Sequence, residues 1–148
     1  MTILVAVADD DLRERVVDVG IRLGRAFEEP LYVVHLTDDE VADADARETR
    51  SELAAHLADA GIEYDVAVEH AGFTRGRSGA ATGKQVAEIA SDVAITHIVV
   101  GHHTKHALRA LAEGRTAFAV AEAASVPVTV VPESLQKRSN QSGPNEGS

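Results

Sequence analysis

The 148-residue chain has no cysteine and no tryptophan, and its aromatic residues are limited to two tyrosines and three phenylalanines. Without cysteine there is no disulfide framework, no thiolate nucleophile and no Cys-ligated zinc site, so thiol redox chemistry is excluded. Lysine is scarce as well. Lys84, Lys105 and Lys137 are the only three among 14 basic residues, and these face 24 acidic ones for a formal net charge of −10. A general binder of the nucleic-acid backbone needs clustered Lys and Arg to release counterions, so this balance argues against nucleic acid as the main partner. Long hydrophobic runs are also missing. No stretch approaches the roughly 20 apolar residues that span a bilayer, and the start of the chain lacks the basic and apolar regions of a signal peptide. The expectation is a soluble, cytoplasmic protein with no membrane partner. An acidic, lysine-poor surface fits a salt-rich, halophilic cytoplasm, where screening removes the self-repulsion of a high charge. GC-rich codon usage gives the same skew, and both explanations stay open.

What is present is globular: 45% hydrophobic and 26% charged residues, at a length suited to one domain. Ile3 to Val7 is a continuous apolar run, as expected of a strand covered on both faces. After Asp9, Asp10 and Asp11, the residues Leu12, Val16, Val19, Leu23 and Phe27 recur with helical spacing and predict one buried helix face. Leu31 to Leu36 reads as a second strand. Asp43 to Ala60, with Leu53 and Leu57 among many charges, reads as a more exposed helix ending at Gly61. Ile62 to Val68 alternates like a third strand. Gly72 to Gly83, with four glycines and two arginines, reads as a mobile loop. Lys84 to Val93 is helical in pattern, Thr96 to Val100 a fourth strand, Thr116 to Ala124 a helix and Val126 to Val131 a fifth strand. The polar residues 134–148 read as a disordered tail beyond a domain of residues 1–133. Strands alternating with helices imply βαβ units, right-handed crossovers and a parallel α/β sheet.

In such a sheet, ligands bind outside the carboxyl ends of the strands at the switch in strand order. With the first strand central and the fourth beside it, the crevice is lined by Ala8 to Asp11 and Gly101 to Gly114, with Leu36 as a side wall. Of the three consecutive aspartates, Asp10 or Asp11 reads first as the cap of the following helix, whose dipole the negative charge complements. The competing role is a carboxylate holding magnesium beside a triphosphate. His102, His103 and His106 open the fourth-strand loop. His102 and His106 would share a helix face at i, i+4, yet solvated loop histidines are the plainer reading. His35 and His97 fall within strands, where imidazoles are ordinarily buried and satisfied. Gly79 to Lys84 misses the phosphate-binding P-loop by one residue between its glycines and by Gln85 where Ser or Thr is required. Arg75 and Arg77 belong to the Gly/Arg loop, read as solvated, with a lid over a ligand as the alternative. No catalytic constellation is visible: there is no serine with a histidine base and no acid/base carboxylate pair.

The opening ILVAVADDD and the closing block VVGHHTKHALRALAEGRTAFAVAEAASVPVTVV resemble the universal stress protein family over residues 3 to 131. That resemblance implies a Rossmann-like open five-stranded parallel sheet in the order 3-2-1-4-5 with helices on both faces, and a homodimer in which the last strands, here Val126 to Val131, meet. It also implies a nucleotide loop of Gly, two residues, Gly, nine residues, Gly and then Ser or Thr. Gly101 and Gly114 match that loop; Thr104 stands at its second glycine, Arg115 replaces the hydroxyl residue, and Thr116 offers one a position late. Ala8 stands where ATP-binding members carry an aspartate that contacts the nucleoside. Gly101 and Gly114 would let the backbone approach a phosphate, Thr104 narrows that cradle, and Arg115 offers phosphate oxygens a bidentate guanidinium. The expectation is a stress-linked, dimeric binding or regulatory domain, more a binder than an enzyme, that has lost tight ATP binding. The alternative is a protein that binds ATP or another adenine nucleotide, with magnesium, through Val100, Gly101, Gly114, Arg115 and Thr116, with or without slow hydrolysis. The basic loop in an acidic protein points to a small anionic ligand.

Overall fold

The computed structural model describes residues 1–8, 12–37, 43–70, 79–92, 94–102 and 117–132. The elements run β1 (Thr2–Val7), α1 (Arg13–Phe27), β2 (Leu31–Thr37), α2 (Asp43–Ala60), β3 (Tyr64–His70), α3 (Gly79–Asp92), β4 (Ile95–His102), a short helix α4 at 117–123, and β5 (Val128–Pro132). All strand pairs are parallel, in the order β3-β2-β1-β4-β5. The α/β sheet and its strand order therefore agree with the sequence reading.

β1 is the central strand, and Ile3, Leu4 and Val5 have no exposed surface. Its alternate residues feed two cores. Ile3, Val5 and Val7 meet Val16, Val17 and Ile21 of α1 and Leu53 and Leu57 of α2 on one face. Leu4 and Ala6 join Val34, Ile98, Val86 of α3 and Val120 of α4 on the other. Burying each such Val, Leu or Ile side chain is worth about 1.5–3 kcal/mol before conformational entropy is counted.

α1 is turned relative to its pattern of large apolar residues. Leu12 and Val16 are buried as expected, but Phe27 is 51% exposed, and the buried face runs through Val17, Gly20, Ile21 and Gly24. The glycines explain the turn. A Cβ on Gly20 would lie 2.6 Å from Cγ2 of Val5, and one on Gly24 would lie 3.0 Å from the Glu29 carbonyl oxygen. The helix therefore meets β1 with its narrowest side, and the large residues Val19 and Leu23 flank that contact. Leu12 occupies the N-cap position of α1 without a side-chain cap bond; the capping assigned to Asp10 or Asp11 lies outside the described residues.

α2 buries Leu53 and Leu57 and is otherwise joined to α1 by polar contacts. Arg13 donates to Glu52 (3.1 Å), His56 pairs with Asp18 (2.8 Å), and the Arg25 guanidinium donates to the Ala60 carbonyl at the end of α2. Gly61 then takes φ +67° with open space around it, ending the helix where the sequence placed its end.

Several boundaries shift. α3 begins at Gly79, so Gly79 to Gly83 is helical where a loop was expected; the helix-favouring Ala80 and Ala81 outweigh the two glycines. Arg75 and Arg77 lie outside the described residues. β3 runs to His70, two residues beyond the expected end. β5 begins at Val128, because Pro127 has no N–H to add to the ladder, although its carbonyl still accepts from Ile98 at 3.0 Å. The tail from 134 onward lies outside the described residues.

At the amino end of the sheet, His97 Nε2 and Thr129 Oγ1 are 2.6 Å apart, which satisfies the half-buried imidazole and ties β4 to β5. His35 is buried at 4% exposure. Burial holds the His97 pKa below the usual histidine value, against an opposing upward pull from Glu29. In the folded state the neutral ring is favoured, so the unfolded chain binds the extra proton. Stability is then at its full value above about pH 6.5 and is lost as pH falls from there through the lower folded pKa. Urea unfolding across that window should show this loss in the native protein and a smaller one in His97→Gln; identical pH profiles would contradict the assignment.

Candidate functional site

Because β2 and β3 lie on one side of β1 while β4 and β5 lie on the other, the strand order reverses between β1 and β4. In open parallel sheets, the carboxyl edge at such a reversal is where ligands bind. The β1/β4 pairing runs to Ala6 opposite Val100, and Ala8 and His102 each follow two residues further along their own strand. The structure brings four of the expected site residues to this edge. Ala8 is exposed just past β1, Leu36 is half-buried near the end of β2, Val100 is buried at 5% exposure, and Gly101 follows it within β4. Thr104, Gly114, Arg115 and Thr116 lie outside the described residues, as do Asp9 to Asp11.

Among the described residues of this edge, Ala8, Leu36 and Val100 have no polar side-chain atom, and Leu36 packs against the core cluster that contains Val34, Ala6 and Ile98. Ala8 supplies no side-chain acceptor for a ribose or base. Gly101 has a structural explanation of its own. A Cβ there would lie 2.9 Å from Leu12 Cδ2 and 3.0 Å from Val16 Cγ2, so the missing side chain is what lets the start of α1 close over β4.

His102 differs from its sequence reading. It is the last residue of β4 and not the first of a loop, so it shares no helix face with His106. It follows the alternation of Ile98 and Val100 and therefore points to the α3/α4 side of the sheet. Its ring meets Phe118 of α4 edge-on, with centroids 5.8 Å apart and planes at 76°. Its Nδ1 is shielded from solvent and has no hydrogen-bond partner among the described residues. This residue and Phe118 were missed as a pair; the signal available was the apolar alternation running two positions past Val100. His103, Lys105, His106 and Arg109 lie outside the described residues.

Elsewhere, a groove of about 490 Å³ runs between α1 and α2, lined among others by Arg15, Arg22, Arg25, Asp18 and His56. Its Asp18, His56 and Arg25 are already engaged in joining the two helices. Among the described residues no three acidic or histidine side chains converge as metal ligands, and no helix is long and apolar enough to cross a membrane.

Residues 1–132 match the model of the Universal stress protein family. No curated protein matches the chain. Among solved structures, a universal stress protein from Archaeoglobus fulgidus is 27% identical, with a TM-score of 0.64 over 88% of this chain and 98% of its own. A structure of the universal stress protein from the same organism in complex with dAMP is 26% identical, with a TM-score of 0.60 over 88% of this chain and 97% of its own. A universal stress protein family member from Arabidopsis thaliana with AMP bound shares the fold at 11% identity, with a TM-score of 0.57 over 89% of this chain and 91% of its own.

The contact at Gly101 yields a direct test. Gly101→Ala should destabilise the fold by about 1–3 kcal/mol through overpacking, and the same change should cost less in a Leu12→Val background, which withdraws the methyl that the new Cβ would strike. A double-mutant cycle read by urea unfolding measures that coupling; equal costs in both backgrounds would show that the glycine is not there for the helix.

Proposed function

We propose that this chain, which belongs to the universal stress protein family, is a dimeric, stress-linked binding protein that holds an adenine nucleotide weakly and has lost tight ATP binding. The observation that carries this reading is the make-up of the carboxyl edge. Ala8 offers the nucleoside no side-chain hydrogen-bond acceptor, and Gly101 is accounted for by the packing of Leu12 and Val16, so its presence is no mark of a phosphate cradle. The bound dAMP of the Archaeoglobus fulgidus protein supports the choice of ligand class. In this reading Gly114, Arg115 and Thr116 face the phosphates, and the three aspartates after Ala8 oppose a polyphosphate unless magnesium offsets their charge. A monophosphate suits such a site better than ATP.

The second reading, an ATP site at Val100 to Thr116 with slow hydrolysis, is favoured by the basic character of that loop against the net charge of −10. The two readings part in calorimetry. Under the first, ATP with magnesium binds weakly, and Ala8→Asp, by restoring one charge-assisted hydrogen bond, raises affinity about tenfold. Tight ATP binding by the native protein, unchanged in Ala8→Asp, would favour the second reading.

The dimer is proposed to form through the last strand. β5 is an edge strand whose outer backbone groups have no partner strand in the sheet, and Val130 is 41% exposed. Edge strands of this kind pair readily with another chain. Val130→Asp should convert the dimer to a monomer in light scattering with the native circular dichroism retained, and an unchanged dimer would refute this interface.

A further inference from the structure

We propose that the groove between α1 and α2 is a docking site for an extended, acidic segment of a partner protein, held by Arg15 and Arg22; this stands apart from the nucleotide reading and does not depend on it. The sequence of α1 sets up the charge. Four of the chain's 14 basic residues, Arg13, Arg15, Arg22 and Arg25, fall within this one helix against Glu14 and Asp18, in a protein of net charge −10. Arg15 and Arg22 are seven residues apart, roughly two turns, so they share a helix face about 10.5 Å apart along the axis.

The groove has a volume of about 490 Å³, and its lining carries Arg15, Arg22 and Arg25 against Asp18 and Asp59. These groups are not equally free. Asp18 faces His56 at 2.8 Å, and the Arg25 guanidinium donates to the Ala60 carbonyl, so both are used in joining the helices. Arg15 and Arg22 make no hydrogen bond or ion pair among the described residues. Two guanidinium groups, one half-buried and one exposed, therefore stand along a groove whose walls are clipped together by other residues. Guanidinium forks match carboxylates bidentately. The spacing selects the kind of ligand. One small anion meets one end of that span, whereas an extended peptide rises about 3.3 Å per residue, so acidic side chains roughly two to four residues apart reach both arginines. Asp59 acts in the same direction, because it repels a compact polyanion but tolerates a peptide whose residue at that point is neutral or basic.

The test titrates the full chain into a fluorescein-labelled hexapeptide of alternating Glu and Ser and reads the anisotropy, with the same peptide carrying Gln for Glu as the control. The expected result is saturable binding of the Glu peptide and none of the Gln peptide. The double variant Arg15→Gln/Arg22→Gln should weaken binding about tenfold, the loss of two partly exposed ion pairs, and leave urea unfolding unchanged, since neither arginine is bonded within the described fold. Should that variant fail to fold, NMR of the native protein decides: the Nε–H resonances of Arg15 and Arg22 shift with the Glu peptide and not with the Gln peptide. Absence of binding, equal binding of the two peptides, or equal binding by the double variant would each overturn the proposal. Inorganic phosphate that competes as well as the unlabelled Glu peptide would assign the groove to a small anion and overturn the peptide reading.

Discussion

The closeness of α1 to the middle of the sheet is the constraint on which the rest of this molecule depends. Three positions at that contact have no side chain. Gly20 faces Val5, Gly24 faces the turn at Glu29, and Gly101 lies under Leu12 and Val16, each where a Cβ would collide. The helix can therefore rest on β1 and β4 together, and its approach seals the core that also holds Leu53 and Leu57 of α2. The same contact sets the site. Because Leu12 presses on Gly101, the start of α1 is fastened to the end of β4.

That arrangement separates the scaffold of a nucleotide site from its chemistry. The parallel sheet, the reversal at β1 and the glycine near the end of β4 are all in place, and they are scaffold features that many different sites can use. Among the described residues of this edge, Ala8, Leu36 and Val100 carry no polar side-chain atom, and Gly101 is engaged with α1.

Much of the fold was legible in the sequence because its signals are local. The run Ile3 to Val7 announced a strand buried on both faces, Asp43 to Ala60 marked α2 with its own end signal at Gly61, and alternation of element types specified a parallel sheet. Less legible was whatever depended on packing between distant segments. Large apolar side chains suggested a helix face through Val19 and Phe27, whereas the close face belongs to glycines, which hydrophobic periodicity does not register. Gly79 and Gly83 read as loop residues because glycine is a poor helix former, yet the alanines between them and the amphipathic turns that follow extend α3 over both. Ala8, Leu36, Val100 and Gly101 stand at or near the carboxyl ends of β1, β2 and β4, a placement that follows from the strand boundaries alone. His102 was assigned to a loop because its neighbours His103 and Thr104 look like one; its place in β4 comes from pairing with β5, which no local pattern records.

A ligand held at the carboxyl edge between β1 and β4 must slow exchange of the backbone amides there. Hydrogen–deuterium exchange with and without saturating AMP tests it most directly, because exchange reports on every backbone amide at once. The account predicts slowed exchange at the ends of β1, β2 and β4, around Ala8, Leu36 and Gly101, with the α1–α2 groove unchanged. Protection confined to the groove along Arg15 to Arg25 and His56 to Ala60, with none at the strand ends, would contradict it.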